Sequence, residues 1–483
     1  MKKLVILALI FLTIESNAQN EFQSFINYVN SLSSTSLKNA AVDSFLVYAR
    51  TKGIPFIEDS TANFIYRNNV SSVSLAGDMN GWNSTNSSLL NLAGTNFYYL
   101  SKNYEPNARL DYKYVVNGNT WILDPENPNK VSGGFGPNSE LAMPEYVQPW
   151  EIIYNSAIPH GLTILKNVTS SLLNRTYQVR IYLPPDYDSA NNQYPVVYFQ
   201  DGSEYITLGS AVNVLDNLIH KNDIVPVIGV FVTPTNRNIE YAGGDRLLYA
   251  QFFSSELVAY IDSNYSTIKK PAKRLVLGDS FGGNISALIS YLYPEVFGNC
   301  GLHSAAFWPN NYEVYGMIVN GEKKDIKYYS VWGTYESLFS NMRNFRDILI
   351  QKGYQFDWGE YPEGHSWGLW RATLDDILKF IFPKGATSVK EFYPSSTGFS
   401  LEQNYPNPFN PVTTISFTVP QDGIVTLKVY NMMGEEVGTL MNNFQTAGGY
   451  DVTFDASRLA SGVYFYTLTT GILTATEKMM LLK

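Results

Sequence analysis

The chain has 483 residues, 45% of them hydrophobic and 16% charged, with 8 Trp, 35 Tyr and 27 Phe. At roughly 150 residues per domain this length implies about three folded units, and so aromatic a composition excludes intrinsic disorder over most of it. The formal net charge of -9, from 34 basic and 43 acidic residues, comes without a Lys/Arg stripe that could displace counterions from a phosphate backbone, which excludes nucleic acid as a partner.

Residues 1–18 carry the three regions of a secretory signal peptide: Met1-Lys2-Lys3, an apolar run from Leu4 to Ile14, then Ser16-Asn17-Ala18. Cleavage after Ala18 leaves Gln19 first. The run is too short to span a bilayer, and no later segment reaches transmembrane length, so the mature chain is expected to lack a membrane span. The lone Cys300 permits no disulfide within the chain; it is expected as a small core residue in a protein held together by packing.

In residues 19–58, Phe22, Phe25, Ile26, Val29 and Leu32, then Val42, Phe45, Leu46 and Ala49, keep helical spacing and predict two short helices ending before Gly53. Residues 59–149 change to alternation and turns: Phe64-Ile65-Tyr66, Val73-Ser74-Leu75, Tyr98-Tyr99-Leu100, Tyr112 to Val115 and Trp121-Ile122-Leu123 predict a small β-sandwich. Residues 150–385 alternate apolar strands, such as Pro195 to Phe199 and Val227 to Phe231, with stretches of helix length. This predicts a mostly parallel sheet with helices on both faces. A polar linker, 386–400, precedes a second all-β module, 401–483, with strands at Ile415 to Val419, Val425 to Tyr430, Tyr450 to Phe454 and Val463 to Leu468. The fold class is therefore multidomain: a central α/β unit flanked by two all-β sandwich modules.

The chemistry lies in the middle unit. Strand Arg274 to Leu277, then Gly278-Asp279-Ser280-Phe281-Gly282-Gly283, then a helix from Asn284 to Tyr293, form the strand, sharp turn and helix of a G-x-S-x-G nucleophile elbow. A strained serine backbone needs glycines where the turn meets its neighbours. Ser280 then needs a base, and the chain has four histidines: His160, His220, His303 and His365. His160 precedes the first strand of the unit, His220 ends an amphipathic helix, and His303 follows the strand after the elbow, where a core role fits. His365 sits between the last strand, Phe356 to Tyr361, and a closing helix, Leu369 to Phe382, at the edge that carries Ser280.

Because α/β-hydrolases run serine, acid, histidine, the acid is sought between them. Glu336, after strand Tyr328 to Trp332, is the candidate; Asp357, Glu360 and Glu363 lie too near His365 in sequence, and the competing reading of Glu336 is a cap on a helix beginning near Ser337. The oxyanion of an acyl-transfer intermediate needs two N–H donors. One is expected from Phe281, and the other from Gly202 or Ser203 after an earlier strand.

On these stretches, with Arg180 to Pro185, Tyr194 to Gly202, Pro294 to Gly298 and Gly364-His365, residues 155–383 resemble the esterases of carbohydrate esterase family one, which includes feruloyl and acetyl-xylan esterases, together with enterochelin-type siderophore esterases. The resemblance implies an α/β-hydrolase with a Ser280, Glu336, His365 triad; it departs at Glu336, where most members have Asp. Arg237 to Tyr241 and Asp201 to Tyr205 look more like the siderophore branch. Residues 64–128, with Gly77-Asp78-Met79-Asn80-Gly81-Trp82, Tyr112-Lys113-Tyr114 and Trp121, resemble glycogen-binding modules, which implies glycan contact at Trp82, Lys113 and Trp121. Residues 401–483, from Gln403-Asn404-Tyr405-Pro406-Asn407-Pro408 to Lys478-Met479-Met480-Leu481-Leu482-Lys483, resemble a type IX secretion sorting domain, which implies export through that machinery to the medium or cell surface.

The expected function is a secreted serine carboxylic ester hydrolase acting on feruloyl or acetyl esters of plant polysaccharide. The alternatives are a siderophore esterase and a surface glycan-binding protein with an inactive hydrolase domain. Four scattered histidines and one cysteine give no metal-ligand spacing, and no phosphate loop or dinucleotide fingerprint occurs, so no cofactor is expected.

Overall fold

The computed structural model describes residues 20–384 and, within 399–482, all but residues 405, 420–422, 433, 447 and 472. The expected signal peptide, 1–18, and most of the expected linker, 386–400, lie outside the described residues. The chain divides into two compact units, one up to Ser388 and one from Val389.

The first unit opens with helices Glu21–Ser31 and Thr35–Lys52, capped by the Asn20 and Ser34 side chains. Their apolar stripes, Phe22, Ile26, Val29, Val42, Phe45 and Leu46, close on Ile65 and Phe97 of the sandwich. That contact explains why strand Thr61–Arg67 is buried on both faces. Ile65 faces the helices, while Phe64 and Tyr66 face the sandwich core with Leu75, Leu110, Tyr112 and Tyr114. One sheet holds Phe56–Glu58, Thr61–Arg67, Phe97–Asn103 and Leu90–Asn91; the other is built on Val73–Gly77, Arg109–Val116 and Asn138–Ala142.

The central sheet has eight strands: β1 (Leu162–Ser170), β2 (Arg175–Leu183), β3 (Val196–Phe199), β4 (Ile228–Thr233), β5 (Arg274–Asp279), β6 (Asn299–His303), β7 (Lys327–Gly333) and β8 (Gln355–Tyr361). They run in the order β1-β2-β4-β3-β5-β6-β7-β8, antiparallel through β1, β2 and β4 and parallel from β4 onward. Alternate residues feed two cores: Val276 and Cys300 point to one face with Ile285 and Leu288, and Leu275 and Leu277 point to the other with Leu215 and Ile377. The carboxyl ends of four parallel strands come level, with Asp279 beside His303, His303 beside Val331 and Gly333 beside Tyr361.

Three local expectations are corrected. The closing helix is two helices, Trp367–Ala372 and Leu374–Ile381, broken at Thr373. There the hydroxyl donates back to Leu369 O at 2.8 Å and approaches His303 Nε2 at 3.3 Å, competing with the helical ladder. His303 is the last residue of β6 rather than a loop residue, and the helix after Glu336 begins at Phe339.

The second unit pairs Val412–Val419 with Ser400–Leu401 and Gly448–Asp455 in one sheet, and Glu436–Gln445, Gly423–Tyr430, Gly462–Thr470 and Leu473–Leu481 in another. Two of these strands, Glu436–Gln445 and Leu473–Leu481, were not expected from sequence, since most of their residues are at least partly exposed. No helix among the described residues is long and apolar enough to cross a membrane.

Candidate active site

Ser280 follows β5 with φ 53° and ψ -116°, a conformation that L-residues adopt only under constraint. The constraint is glycine packing. A Cβ on Gly278 would meet the carbonyl of Gly282, and one on Gly283 would meet Ala305 Cβ at 2.9 Å. The Ser280 amide donates to His303 O at 2.9 Å and its carbonyl accepts from Ala306 at 2.9 Å, which anchors the turn to the end of β6.

Glu336 and His365 meet at the same edge. Glu336 is buried, one carboxylate oxygen accepting from Gly333 N–H at 2.8 Å and the other hydrogen-bonded to His365 Nδ1. It does not cap the following helix. The His365 ring stands edge-on to Trp370, centroids 5.0 Å apart, and Trp370 Nε1 donates to Ser304 Oγ at 3.0 Å, beside the anchor of Ser280. The Ser280 hydroxyl itself makes no hydrogen bond among the described residues; in unliganded sites such bonds are often long and tighten only around substrate.

The competing carboxylates are engaged elsewhere. Glu360 accepts from both arms of Arg343 and from Trp332 Nε1, Asp357 accepts from the Trp358 amide, and Glu363 is buried beside Arg109, with desolvation pushing its carboxyl up to about 8. The other histidines are likewise accounted for. His303 is fully buried, bonded to Tyr205 Oη at 2.8 Å, and burial pushes its pKa down to about 3. His160 pairs with Asp216 at 2.9 Å, and His220 lies in the last turn of helix Ala211–Lys221.

Beyond β3 the chain turns through Asp201, at φ 48°, into helix Gly202–Thr207. A Cβ on Gly282 would lie 3.0 Å from Asp201 Oδ2 and 3.2 Å from Gln200 Cβ, so this corner abuts the elbow. The amides of Phe281, Gly202 and Ser203 have no acceptor in the described protein. Arg237 ties the corner to the elbow, donating to both oxygens of Asp201 at 2.9 Å and to Asp279 O at 3.2 Å. Desolvation raises both carboxyls, Asp201 to about 6. The Phe281 ring lies 5.0 Å from exposed Trp308, with the Arg237 guanidinium 5.6 Å from its centre. Sequence reasoning did not reach this aromatic and cationic wall, because no spacing links Arg237, Phe281 and Trp308.

On the sandwich, Trp82 and exposed Trp121 lie nearly parallel, 6.4 Å apart, and Trp82 Nε1 donates to buried Asp78 at 3.1 Å. Lys113 lies two residues from Val115, which pairs with Trp121, so the two point to one face. Cys300 is buried, its thiol pushed up to about 12 by desolvation. Among the described residues no group of three or more His, Cys, Asp or Glu could hold a metal ion.

Residues 170–381 match the family described as "Putative esterase". That match supports an esterase and spans less than half of the chain. Residues 403–482 match the "Secretion system C-terminal sorting domain", which implies secretion or cell-surface localisation. Uncharacterized protein YjcH of Bacillus subtilis is 26% identical over 236 residues, spanning 46% of this chain and 97% of YjcH. An endo-1,4-beta-xylanase/feruloyl esterase of Xylanibacter ruminicola is 26% identical over 246 residues, 47% of this chain and 32% of that protein. The crystal structure of the enterobactin esterase FES from Shigella flexneri in the presence of enterobactin is similar in fold, with a TM-score of 0.57 and 18% identity. That likeness covers 66% of this chain and 92% of FES, more of the chain than residues 170–381 contain.

Proposed function

We propose that this chain is an exported serine carboxylic ester hydrolase that acts through an acyl-enzyme on feruloyl or acetyl esters of plant polysaccharide. The observation that carries the reading is the Glu336–His365 hydrogen bond at the sheet edge where the strained Ser280 stands. In this reading Ser280 Oγ attacks the ester carbonyl while His365 Nε2 takes its proton, and Glu336 holds Nδ1–H and stabilises the imidazolium. The tetrahedral oxyanion receives the amide of Phe281 and that of Gly202 or Ser203. His365 then protonates the departing sugar alkoxide. Water, giving its proton to His365, releases the acid and restores the hydroxyl.

The wall of Phe281, Trp308 and Arg237 supports an aromatic acyl group over acetyl, since a flat ring can pack on it and a phenolic oxygen can meet the guanidinium. The bifunctional Xylanibacter relative, named for feruloyl esterase, supports the same choice. Trp82, Lys113 and Trp121 are the proposed glycan contacts, the indole faces stacking on sugar rings. A second reading, cleavage of a catecholate siderophore ester, is favoured by the breadth of the fold likeness to enterobactin esterase.

The deciding experiment is hydrolysis of methyl ferulate, acetylated xylan and a tricatechol lactone by the mature chain, with Ser280→Ala as control. Turnover of a plant ester, lost by about 10³-fold or more in Ser280→Ala, bears the proposal out. Turnover of the lactone alone moves the protein to iron acquisition. No turnover, together with no fluorophosphonate adduct at Ser280, overturns the enzymatic reading in favour of a glycan-binding protein.

A further inference from the structure

His365 stands in a short segment, residues 362–366, between β8 and helix Trp367–Ala372. Its imidazole is held by one hydrogen bond, to Glu336, and one ring contact, to Trp370. The backbone on either side of it is held from outside the esterase domain. Arg109, fully buried at the start of sandwich strand Arg109–Val116, donates its amide to Pro362 O at 3.1 Å and bridges to Glu363 in parallel fashion. Its guanidinium donates from Nη1 to Ser366 Oγ at 3.2 Å, and is itself fixed by Asp111 at 2.7 Å and Glu140 at 2.7 Å. A Cβ on Gly368 would run into that guanidinium, and a Cβ on Gly364 into the carboxylate of Asp78, another sandwich residue. Both neighbours of His365 in sequence therefore rest on the sandwich.

The acid loop is tied in as well. Tyr335 N donates to Glu363 O at 3.0 Å, while Tyr335 Oη donates to Glu105 of the sandwich at 2.5 Å. Desolvation keeps the Glu363 and Asp78 carboxyls up at about 8 and about 7. This suits a buried cluster in which Arg109 and Arg371 face Asp78, Asp111, Glu140 and Glu363.

We infer that Arg109 is a positioning residue for His365, acting through Ser366 and the 362–366 backbone, so that the N-terminal sandwich forms part of the esterase site. This rests on the reading of His365 as the base. A displacement of about 1 Å at a reacting group can cost on the order of a hundredfold in rate, and a five-residue loop with one side-chain tether needs such support.

The test uses the full chain with Ser366→Ala, Arg109→Lys, Arg109→Met and Ser366→Thr. Four quantities are read: kcat and KM on an aryl ester, melting temperature, and the downfield proton resonance of His365 Nδ1–H, assigned by its loss in His365→Ala. Ser366→Ala and Arg109→Lys are expected to lower kcat by roughly tenfold or more, with KM unchanged and the N–H resonance broadened or lost, while Ser366→Thr recovers both. Arg109→Met strands two buried carboxylates and can fail to fold; Ser366→Ala leaves them paired and keeps the test decisive. Parental kcat and an intact resonance in folded Ser366→Ala and Arg109→Lys overturn the inference, as does a lower melting temperature with unchanged kcat per folded molecule. If the parent turns over no ester and takes no fluorophosphonate, the esterase reading has failed, and the N–H resonance still reports on the clamp.

Discussion

The Ser280 elbow and the His365 loop stand at the same carboxyl edge of the sheet, yet they are built by different means. The elbow is held by what lies next to it in sequence and in the neighbouring strand: Gly278 against Gly282, Gly283 against Ala305, and the Ser280 amide on His303 O. The histidine loop is held from more than 200 residues away, by Arg109 on Ser366 and Asp78 on Gly364. Strain at the elbow is compensated locally, so the motif carries its own geometry. The loop has local ties as well, Tyr335 N on Glu363 O and Trp370 N on Ser366 O, but both residues that flank His365 also rest on the sandwich, so its accuracy depends on how two domains pack.

The comparison can be broken or sharpened by substitution. The largest effect is expected from Glu336→Gln, which keeps the shape of the acid but removes the charge that orients His365; kcat should fall by about 10³- to 10⁴-fold in steady-state assays, with little change in melting temperature. Gly278→Ala attacks the elbow alone. Its methyl meets backbone that cannot yield, so a loss of about 1–3 kcal/mol or more in denaturant unfolding should accompany lost activity.

Glu363→Gln probes the loop through pH. In the folded chain Glu363 keeps its proton up to about pH 8, against an ordinary value of 4.5, so between those values the folded state binds more protons than the unfolded. Stability therefore falls as pH rises through this window, and Asp78, held up to about 7, adds in the same sense. The melting temperature of Glu363→Gln measured from pH 5 to 8 should decline less steeply than that of the parent. An equal slope would show that Glu363 ionises freely. The smallest effect is expected from Trp121→Ala, an exposed ring outside both structures: methyl ferulate turnover should be unchanged, while retardation in xylan affinity gels should weaken.

Much of the fold was legible. The elbow could be read because six consecutive residues between a strand and a helix meet a geometric need that is entirely local, and the level carboxyl edge follows once the strands alternate with helices. The pairing of His365 with Glu336 was reachable because only four histidines had to be placed. Arg109 was not reachable. It alternates with Leu110, Tyr112 and Tyr114 on strand Arg109–Val116, sharing a face with Asp111, and by a period of two that polar face reads as the solvent side. It is buried instead, because another domain covers it. The break at Thr373 was hidden for a related reason: its hydroxyl acts partly through His303, 70 residues earlier in the chain.

The amino-acid sequence by itself determined the candidate elbow, the order of the elements and the resemblance of the C-terminal stretch to a sorting domain, because each depends on short-range patterns: a turn that needs glycine, a period that selects strand or helix, and a run of motif residues. Only the tertiary structure decided what surrounds the candidate base. Burial, desolvation and the meeting of Arg109 with Ser366 depend on surfaces distant in sequence, and no local pattern records which of two polar faces another domain will cover.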